Sequence, residues 1–260
     1  MTQTPLVSII TPSYNQAQYL EETIRSVLDQ DYQNLEYIII DGGSDDGSVD
    51  IIQRYADRLA FWVSEKDQGQ TDAINKGFAR ASGEILAWIN SDDTYLPSAI
   101  SEAVEFLGAH PQAGMVYGDA NLIDSNGVTI GKFPAHQTDY KRLRRGYVHI
   151  PQQATFFRAD LWQQVGPLDP SFYFAMDYDL WVRISRVAPI YYHPHLWANF
   201  RLHGSGKSVA EDSRCWPEML RVHEREGGGR LSWLFFKAKI RPVAYAWIPM
   251  SIRVRLRRFL

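Results

Sequence analysis

The sequence predicts an α/β protein with a mostly parallel central sheet, helices on both faces and a mixed second half. Two observations carry this expectation. Over residues 1–118, short apolar runs alternate four times with stretches of helical periodicity, and repeated strand, helix, strand order gives parallel strands joined by crossovers. After residue 118 the pattern changes to a hairpin signal and separated short strands, which points to mixed pairing. Residues 1–225 therefore read as one domain with halves at 1–118 and 119–225, followed by a tail over 226–260. A chain of 260 residues that is 45% hydrophobic can bury a core of that size.

The elements follow in order. Residues 7–10 read as the first strand, and Leu20, Ile24, Val27 and Leu28 then recur at helical spacing behind Asn15 as a cap, with Gln18 three residues on. Residues 37–40 form the second strand, ending at Asp41-Gly42-Gly43-Ser44, and a short helix starts near Ser48. A strand over 61–64 precedes a helix marked by Ile74, Gly77, Phe78 and Ala81 that stops at Gly83. The strand 85–90, the helix 97–107 ending at Gly108 and the strand 115–117 complete the first half. In the second half, Asn126-Gly127 between Leu122-Ile123 and Val128-Thr129-Ile130 predicts a type I′ hairpin. A strand over 154–157, a helix over 178–187 and a strand over 190–192 follow.

Composition narrows the function classes. A single cysteine, Cys215, excludes an intramolecular disulfide and a Cys-rich metal site, which favours a reducing compartment. The start of the chain lacks a basic region followed by a long apolar run, and no stretch reaches the roughly 18 apolar residues of a spanning helix. A cytoplasmic location is the expectation. The net charge of -3 is unevenly distributed, because eight basic residues and no acid lie from Arg230 onward. Trp233, Phe235, Phe236, Trp247 and Phe259 share that stretch, and basic residues mixed with large apolar ones suit peripheral contact with an anionic membrane face. The competing reading is a tail docked on its own domain. The acidic remainder argues against nucleic acid.

Two apparent motifs fail on context. Gly206-Lys207-Ser208 resembles the end of a P-loop, but the first required glycine falls on Arg201. The acids over residues 41–50 do not meet the calcium-loop spacing, since Gly43 stands at a ligand position. No G-x-G-x-x-G follows the first strand.

The chemistry concentrates in Ala87-Trp88-Ile89-Asn90-Ser91-Asp92-Asp93, an apolar run that stops on two adjacent carboxylates. Acids at the carboxyl end of a buried strand sit on the rim of the crevice where open α/β sheets bind ligands. Acids so placed suit a hard cation, and a hard cation suits phosphate. The bland alternative is a cap on the following helix.

The blocks Val7-Ser8-Ile9-Ile10-Thr11-Pro12-Ser13-Tyr14-Asn15, Ile40-Asp41-Gly42-Gly43-Ser44-Asp45-Asp46-Gly47-Ser48, Asp72-Ala73-Ile74-Asn75-Lys76-Gly77 and Asn90-Ser91-Asp92-Asp93, in this order, resemble those of family 2 glycosyltransferases with the GT-A fold. Met176-Asp177-Tyr178-Asp179-Leu180-Trp181 and Arg201-Leu202-His203-Gly204-Ser205 resemble the family's later acidic and histidine segments. The resemblance implies a GT-A-like nucleotide-diphospho-sugar transferase fold, with residues 1–118 as the nucleotide-sugar half and 119–225 as the acceptor half. It implies single-displacement, inverting transfer from a nucleotide sugar, expected to be a UDP-sugar, to a hydroxyl of a glycan or lipid-linked acceptor. A divalent cation, Mg2+ or Mn2+, is expected on Asp93 and Asp92 with His203 nearby. Thr11, Pro12, Tyr14, Asp41, Ser44, Asn75, Lys76 and Asp92 are the expected nucleotide contacts. The chain departs from the family in carrying Asp41-Gly42 where two acids are frequent, and in lacking the Gly-Glu pair before Asp177. Asp177 is the expected general base. His149, Gln152, Gln153 and Asp179 are weaker acceptor-side candidates by placement, and Asp179, two residues on from Asp177, faces another side of the helix and suits a salt bridge better. A nucleotidyltransferase of related fold, or a noncatalytic nucleotide- or glycan-binding module, are the competing functions.

Overall fold

The computed structural model describes residues 4–204, 206–207, 215–229, 232, 234–236 and 238. In chain order the elements are β1 (Val7–Ser13), α1 (Ala17–Leu28), β2 (Leu35–Asp41), α2 (Ser48–Arg54), β3 (Phe61–Ser64), α3 (Gln70–Arg80), β4 (Ile85–Trp88), β5 (Thr94–Tyr95) and α4 (Ala99–Ala109). They continue with β6 (Met115–Ile123), β7 (Thr129–Lys132), α5 (Tyr140–Leu143), β8 (Thr155–Arg158), α6 (Ala159–Val165), α7 (Met176–Val187), β9 (Ile190–Arg201) and α8 (Cys215–Arg225). The sheet runs β3-β2-β1-β4-β8-β6-β9-β5, with β7 paired to β6.

The first half is the parallel unit that the alternation predicts. β3, β2, β1 and β4 are parallel neighbours. Each of these strands is apolar on both faces, and the period of two divides the residues cleanly. Val7, Ile9, Tyr37, Ile39, Ile85 and Ala87 join one core layer, packed with α1 and α4. Ile10, Ile38, Ile40, Leu86 and Trp88 join the other, packed with α3 and α7. Helix α3 approaches β1 so closely that a Cβ at Gly77 would lie 2.3 Å from Ile10 Cγ2. Glycine is therefore required there by space, and not by backbone angle.

The sheet turns mixed where β8 inserts. β8 is antiparallel to both β4 and β6, so β4 and β6 never become neighbours, although β6 and β9 are again parallel. β6 and β9 extend well beyond the apolar triplets that mark them, to Ile123 and Arg201. Their outer halves pair with each other through residues such as Asn121 and Asn199, whose polarity hides the strand from a hydrophobic reading.

Three local expectations change. Helix α1 begins behind Gln16, and Asn15 instead takes a left-handed turn at φ 49. The free N–H of Ala17 donates to Asp46 Oδ2 at 2.9 Å, so the cap comes from another loop. Helix α3 ends at Arg80, ahead of Gly83. The hairpin between β6 and β7 exists, but only Gly127 has positive φ. Gly127 N donates to Asp124 O and Asp124 N to Val128 O, which is a turn centred on Ser125 and Asn126 followed by a left-handed glycine, not the type I′ form.

The start of the tail packs on the domain. Leu234 is 2% exposed within the core, and a Cβ at Gly146 would meet its Cδ1 at 2.7 Å. Arg230, Lys237, Lys239, Arg241, Arg253, Arg255, Arg257 and Arg258, which carry the membrane expectation, lie outside the described residues. Among the described residues, no helix is long and apolar enough to cross a membrane.

Candidate active site

Two adjoining cavities open at the carboxyl ends of the parallel strands. The larger, about 660 Å³, is walled by the ends of β1, β2 and β4, with Pro12, Tyr14, Gly42, Asp67, Asp92 and Arg201 among its lining. The smaller, about 260 Å³, lies against the start of α7 and is lined by Gln152, Gln153, Met176, Asp177, Cys215 and Met219 among others. Gln70, Asn90, Phe200 and Lys207 line both. That shared wall is a polar chain: Lys207 Nζ donates to Gln70 Oε1, Gln70 Nε2 to Asn90 Oδ1, and Asn90 Nδ2 to Gln152 Oε1. Gln152 Nε2 anchors the chain on the carbonyl of Trp88 at the end of β4.

The two adjacent acids after β4 point in opposite directions. The chain turns there, Asp93 N donating to Asn90 O at 3.1 Å, so strand alternation no longer governs side-chain direction. Asp93 is fully buried; its carboxylate accepts from Arg201 N at 2.8 Å and from Asn90 Nδ2 at 3.3 Å. Burial and the neighbouring Asp92 charge push its carboxyl well above the usual range, against the pull of Arg201. Asp93, expected on the cation, here faces the protein and ties β4 to β9. Asp92 faces the larger cavity, with Oδ2 2.9 Å from His203 Nε2. The His203 ring packs on Tyr19 at 4.8 Å, which orients that nitrogen.

A divalent cation fits this pair. The Asp92 carboxylate on the wall of the larger cavity, with the buried His203 Nε2 a hydrogen bond behind it, would supply the small protein share of a site for Mg2+ or Mn2+.

Most of the expected nucleotide contacts are engaged elsewhere. Pro12, Tyr14 and Asp92 line the larger cavity. Thr11 is buried with Oγ1 bonded to Tyr37 OH. Asp41 is buried and its two oxygens accept from Gly43 N, Ser44 N, Ser44 Oγ and Ser64 Oγ. Ser44 Oγ accepts in turn from Asn15 N. Asn75 brackets the backbone N–H and C=O of Leu168. Lys76 pairs with Glu65 and Asp72. These residues shape the loops around the cavity, and none of the five is on its wall.

Asp67 was invisible in the sequence as a site residue. It lines the larger cavity, and a Cβ at Gly42 would lie only 2.9 Å from its Oδ2. Its carboxylate thus stands over the backbone where family members often carry a second acid after the β2 aspartate. Burial, opposed by the Gly69 N–H, leaves its carboxyl above the usual range. The one available signal was the glycine at position 42 itself.

Asp177 lies in the first turn of α7 on the wall of the smaller cavity. Burial pushes its carboxyl up to about 6, although the N–H of Tyr178 bonds to Oδ1 at 2.7 Å. The turn before α7 is held from outside: Glu218 of α8 accepts from the N–H groups of Tyr173, Phe174 and Ala175 at 2.7–3.0 Å, an anion at a helix N-terminus. Asp179 is fully buried against Arg183 and Arg225, so it binds α7 to α8 and makes no part of the cavity. Gln152 and Gln153 do line it, and Gln153 Nε2 has no hydrogen-bond partner among the described residues. His149 instead bonds to Pro134 O and stacks on His136 at 3.7 Å.

The sequence matches the profile of Glycosyl transferase family 2 over residues 8–180. An uncharacterised glycosyltransferase of Mycobacterium tuberculosis is 32% identical over 248 residues, covering 92% of this chain and 93% of the relative. TuaG of Bacillus subtilis, named as a candidate teichuronic acid biosynthesis glycosyltransferase, is 34% identical over 155 residues, covering 58% of this chain and 56% of the relative. An uncharacterised glycosyltransferase of Rickettsia felis is 31% identical over 225 residues, and the match spans only 37% of that longer protein. Among solved structures, S. aureus TarS in complex with UDP-GlcNAc superposes with a TM-score of 0.70 at 17% identity, over 85% of this chain and 66% of the other. The mannosyltransferase PcManGT from Pyrobaculum calidifontis, in complex with GDP-Man and Mn2+, superposes with a TM-score of 0.66 at 21% identity, over 98% of this chain and 74% of the other. Both likenesses establish the GT-A glycosyltransferase fold. The chain spans about a third of the length of several of the curated relatives it matches, and it belongs to glycosyl transferase family 2.

Proposed function

We propose that the protein transfers a sugar, with inversion at the anomeric carbon, from a nucleoside diphosphate sugar to a hydroxyl of a glycan or lipid-linked acceptor in polysaccharide or glycoconjugate assembly. The observation that carries this reading is the pair of cavities sharing one wall, with Asp92 on the larger and Asp177 on the smaller. A donor in the larger cavity directs its anomeric carbon to the shared wall, and an acceptor hydroxyl in the smaller one approaches from the opposite side. Asp177 takes the hydroxyl proton as the new C–O bond forms and the bond to diphosphate breaks, a contribution of about 10² to 10⁴ in rate. No covalent nucleophile is needed.

Asp92, with His203 beside it, would hold the divalent cation, which would supply Lewis-acid stabilisation of the departing diphosphate. Lys207, whose ammonium lies 3.6 Å from the Tyr173 ring centroid at the junction, adds positive charge close to the same phosphates. Asp67 replaces Asp41 as our candidate for the nucleobase: its carboxylate accepts a ring N–H of the kind that uracil, thymine and guanine carry, and the UDP-GlcNAc bound by TarS supports uracil among them. TuaG's name supports polysaccharide assembly. The Gln153 side-chain amide is a ready donor to an acceptor oxygen.

Thermal stabilisation by UDP, GDP and dTDP, each with and without Mn2+ or Mg2+, tests the donor side. The expected result is a rise in Tm with UDP that depends on the ion. Absence of any ion-dependent nucleotide effect overturns the cation site. A GDP preference overturns the uracil assignment and leaves the cation site standing.

A further inference from the structure

At the opposite end of β9 from Arg201, a second group of metal-ligating side chains is already assembled. His193 and His195 are two apart on the strand and so share a face. Their rings stack at 4.2 Å with an interplanar angle of 28°. Glu102 reaches them from α4: its Oε2 lies 2.8 Å from His195 Nδ1 and accepts from Trp197 Nε1, also at 2.8 Å. One ligand atom from each of Glu102, His193 and His195 lies within 4.8 Å of the others. A tetrahedral ion with Zn–N bonds of about 2.0–2.1 Å holds its ligands roughly 3.3 Å apart, so side-chain rotation alone closes the set.

The surroundings fit an ion better than a chance contact. The Trp197 N–H fixes the carboxylate from behind, the outer-sphere hydrogen bond that metal ligands usually have. Phe106 and Trp197 wall the His193 ring at 5.2 and 5.6 Å. Two imidazoles and one carboxylate suit zinc-like transition ions, whereas Mg2+ prefers oxygen alone. Seven residues of β9 lie between His193 and Arg201, a span on the order of 25 Å along a strand, so this group is separate from Asp92 and His203.

We propose that Glu102, His193 and His195 form a transition-metal site, with Zn2+ the matching ion and water at the fourth position, that clamps α4 to the start of β9. The ion bridges a surface helix to the strand whose far end carries Arg201, and its role is to fix the strand.

Untagged full-length protein in Mg2+-saturated buffer, dialysed against micromolar Zn2+, provides the test. Wild type is expected to retain zinc and to show a zinc-dependent rise in Tm, and Co2+ in its place should give the visible absorption of a low-coordinate site. His195→Ala and Glu102→Gln, changed one at a time at partly exposed positions, should each weaken zinc binding at least tenfold and abolish the Tm rise. Asp92→Asn should keep both. Zinc retention and stabilisation unchanged in His195→Ala and Glu102→Gln, or lost in Asp92→Asn instead, overturn the site, as does wild type that retains no zinc.

Discussion

The two adjoining cavities are built on different plans. The larger is made by the ends of three parallel strands, and its loops fasten one another: Asp41 holds the β2 loop and Asp46 caps α1 and α2. The smaller is assembled mainly from residues 88–90, 148–153, 174–178 and 215–219, and the one carboxylate among its described lining residues, Asp177, is pushed by burial up to about 6. The larger cavity, the proposed donor side, is a property of sheet topology, while the smaller, the proposed acceptor side, depends on segments brought together by packing. A change in the first plan should therefore appear in nucleotide binding, and a change in the second in turnover.

The sharpest test of that division is Asp177→Asn, expected to lower turnover by about 10² to 10⁴ while UDP binding stays within twofold; single-turnover assays with parallel titrations measure both. Weaker nucleotide binding in this variant would break the separation. Next comes the pair of neighbours after β4. Asp92→Asn should remove the ion-dependent part of UDP stabilisation with the unliganded Tm nearly unchanged. Asp93→Ala should instead lower stability by about 1–3 kcal/mol, because the buried Arg201 N–H loses its acceptor. Urea denaturation of both variants distinguishes them.

A smaller effect, about tenfold or ~1.4 kcal/mol, is expected in UDP affinity for Asp67→Asn, the loss of one hydrogen bond to a charged group. An unchanged affinity removes Asp67 from base recognition. The smallest effect concerns pH. Asp177 acts as a base only when ionised, so turnover should fall as pH drops through about 6. For stability the sign is opposite: the ionised form is disfavoured in the fold relative to an ordinary value of 3.8. Asp177→Asn should therefore raise Tm by a few degrees above pH 6, and the gain should fade as pH falls toward 4.

What the sequence disclosed follows the same division. The parallel strands were legible because both faces are buried, as with Ile38, Ile39 and Ile40. The hairpin was legible in place, and its turn type was not, since the turn is centred on Ser125-Asn126. The site blocks marked the right loops, but periodicity stops where a loop begins, so it could not separate Asp92 from Asp93. Asn75 and Lys76 sit in the middle of α3 and face Leu168 and a pair of acids, contacts that no local pattern encodes. Gln70, Lys207 and Asp67 emerged only with the fold, because their neighbours are distant in sequence or, for Asp67, lie over a glycine.

The family match ends at residue 180, yet Glu218 of α8 steadies the turn before α7 and Met219 lines the smaller cavity. Helix α8 therefore shapes the smaller cavity from beyond the common block, and it carries none of Arg201, His203 and Lys207. On the proposed function, a chimera carrying a relative's α8 is expected to change acceptor choice while nucleotide binding is kept.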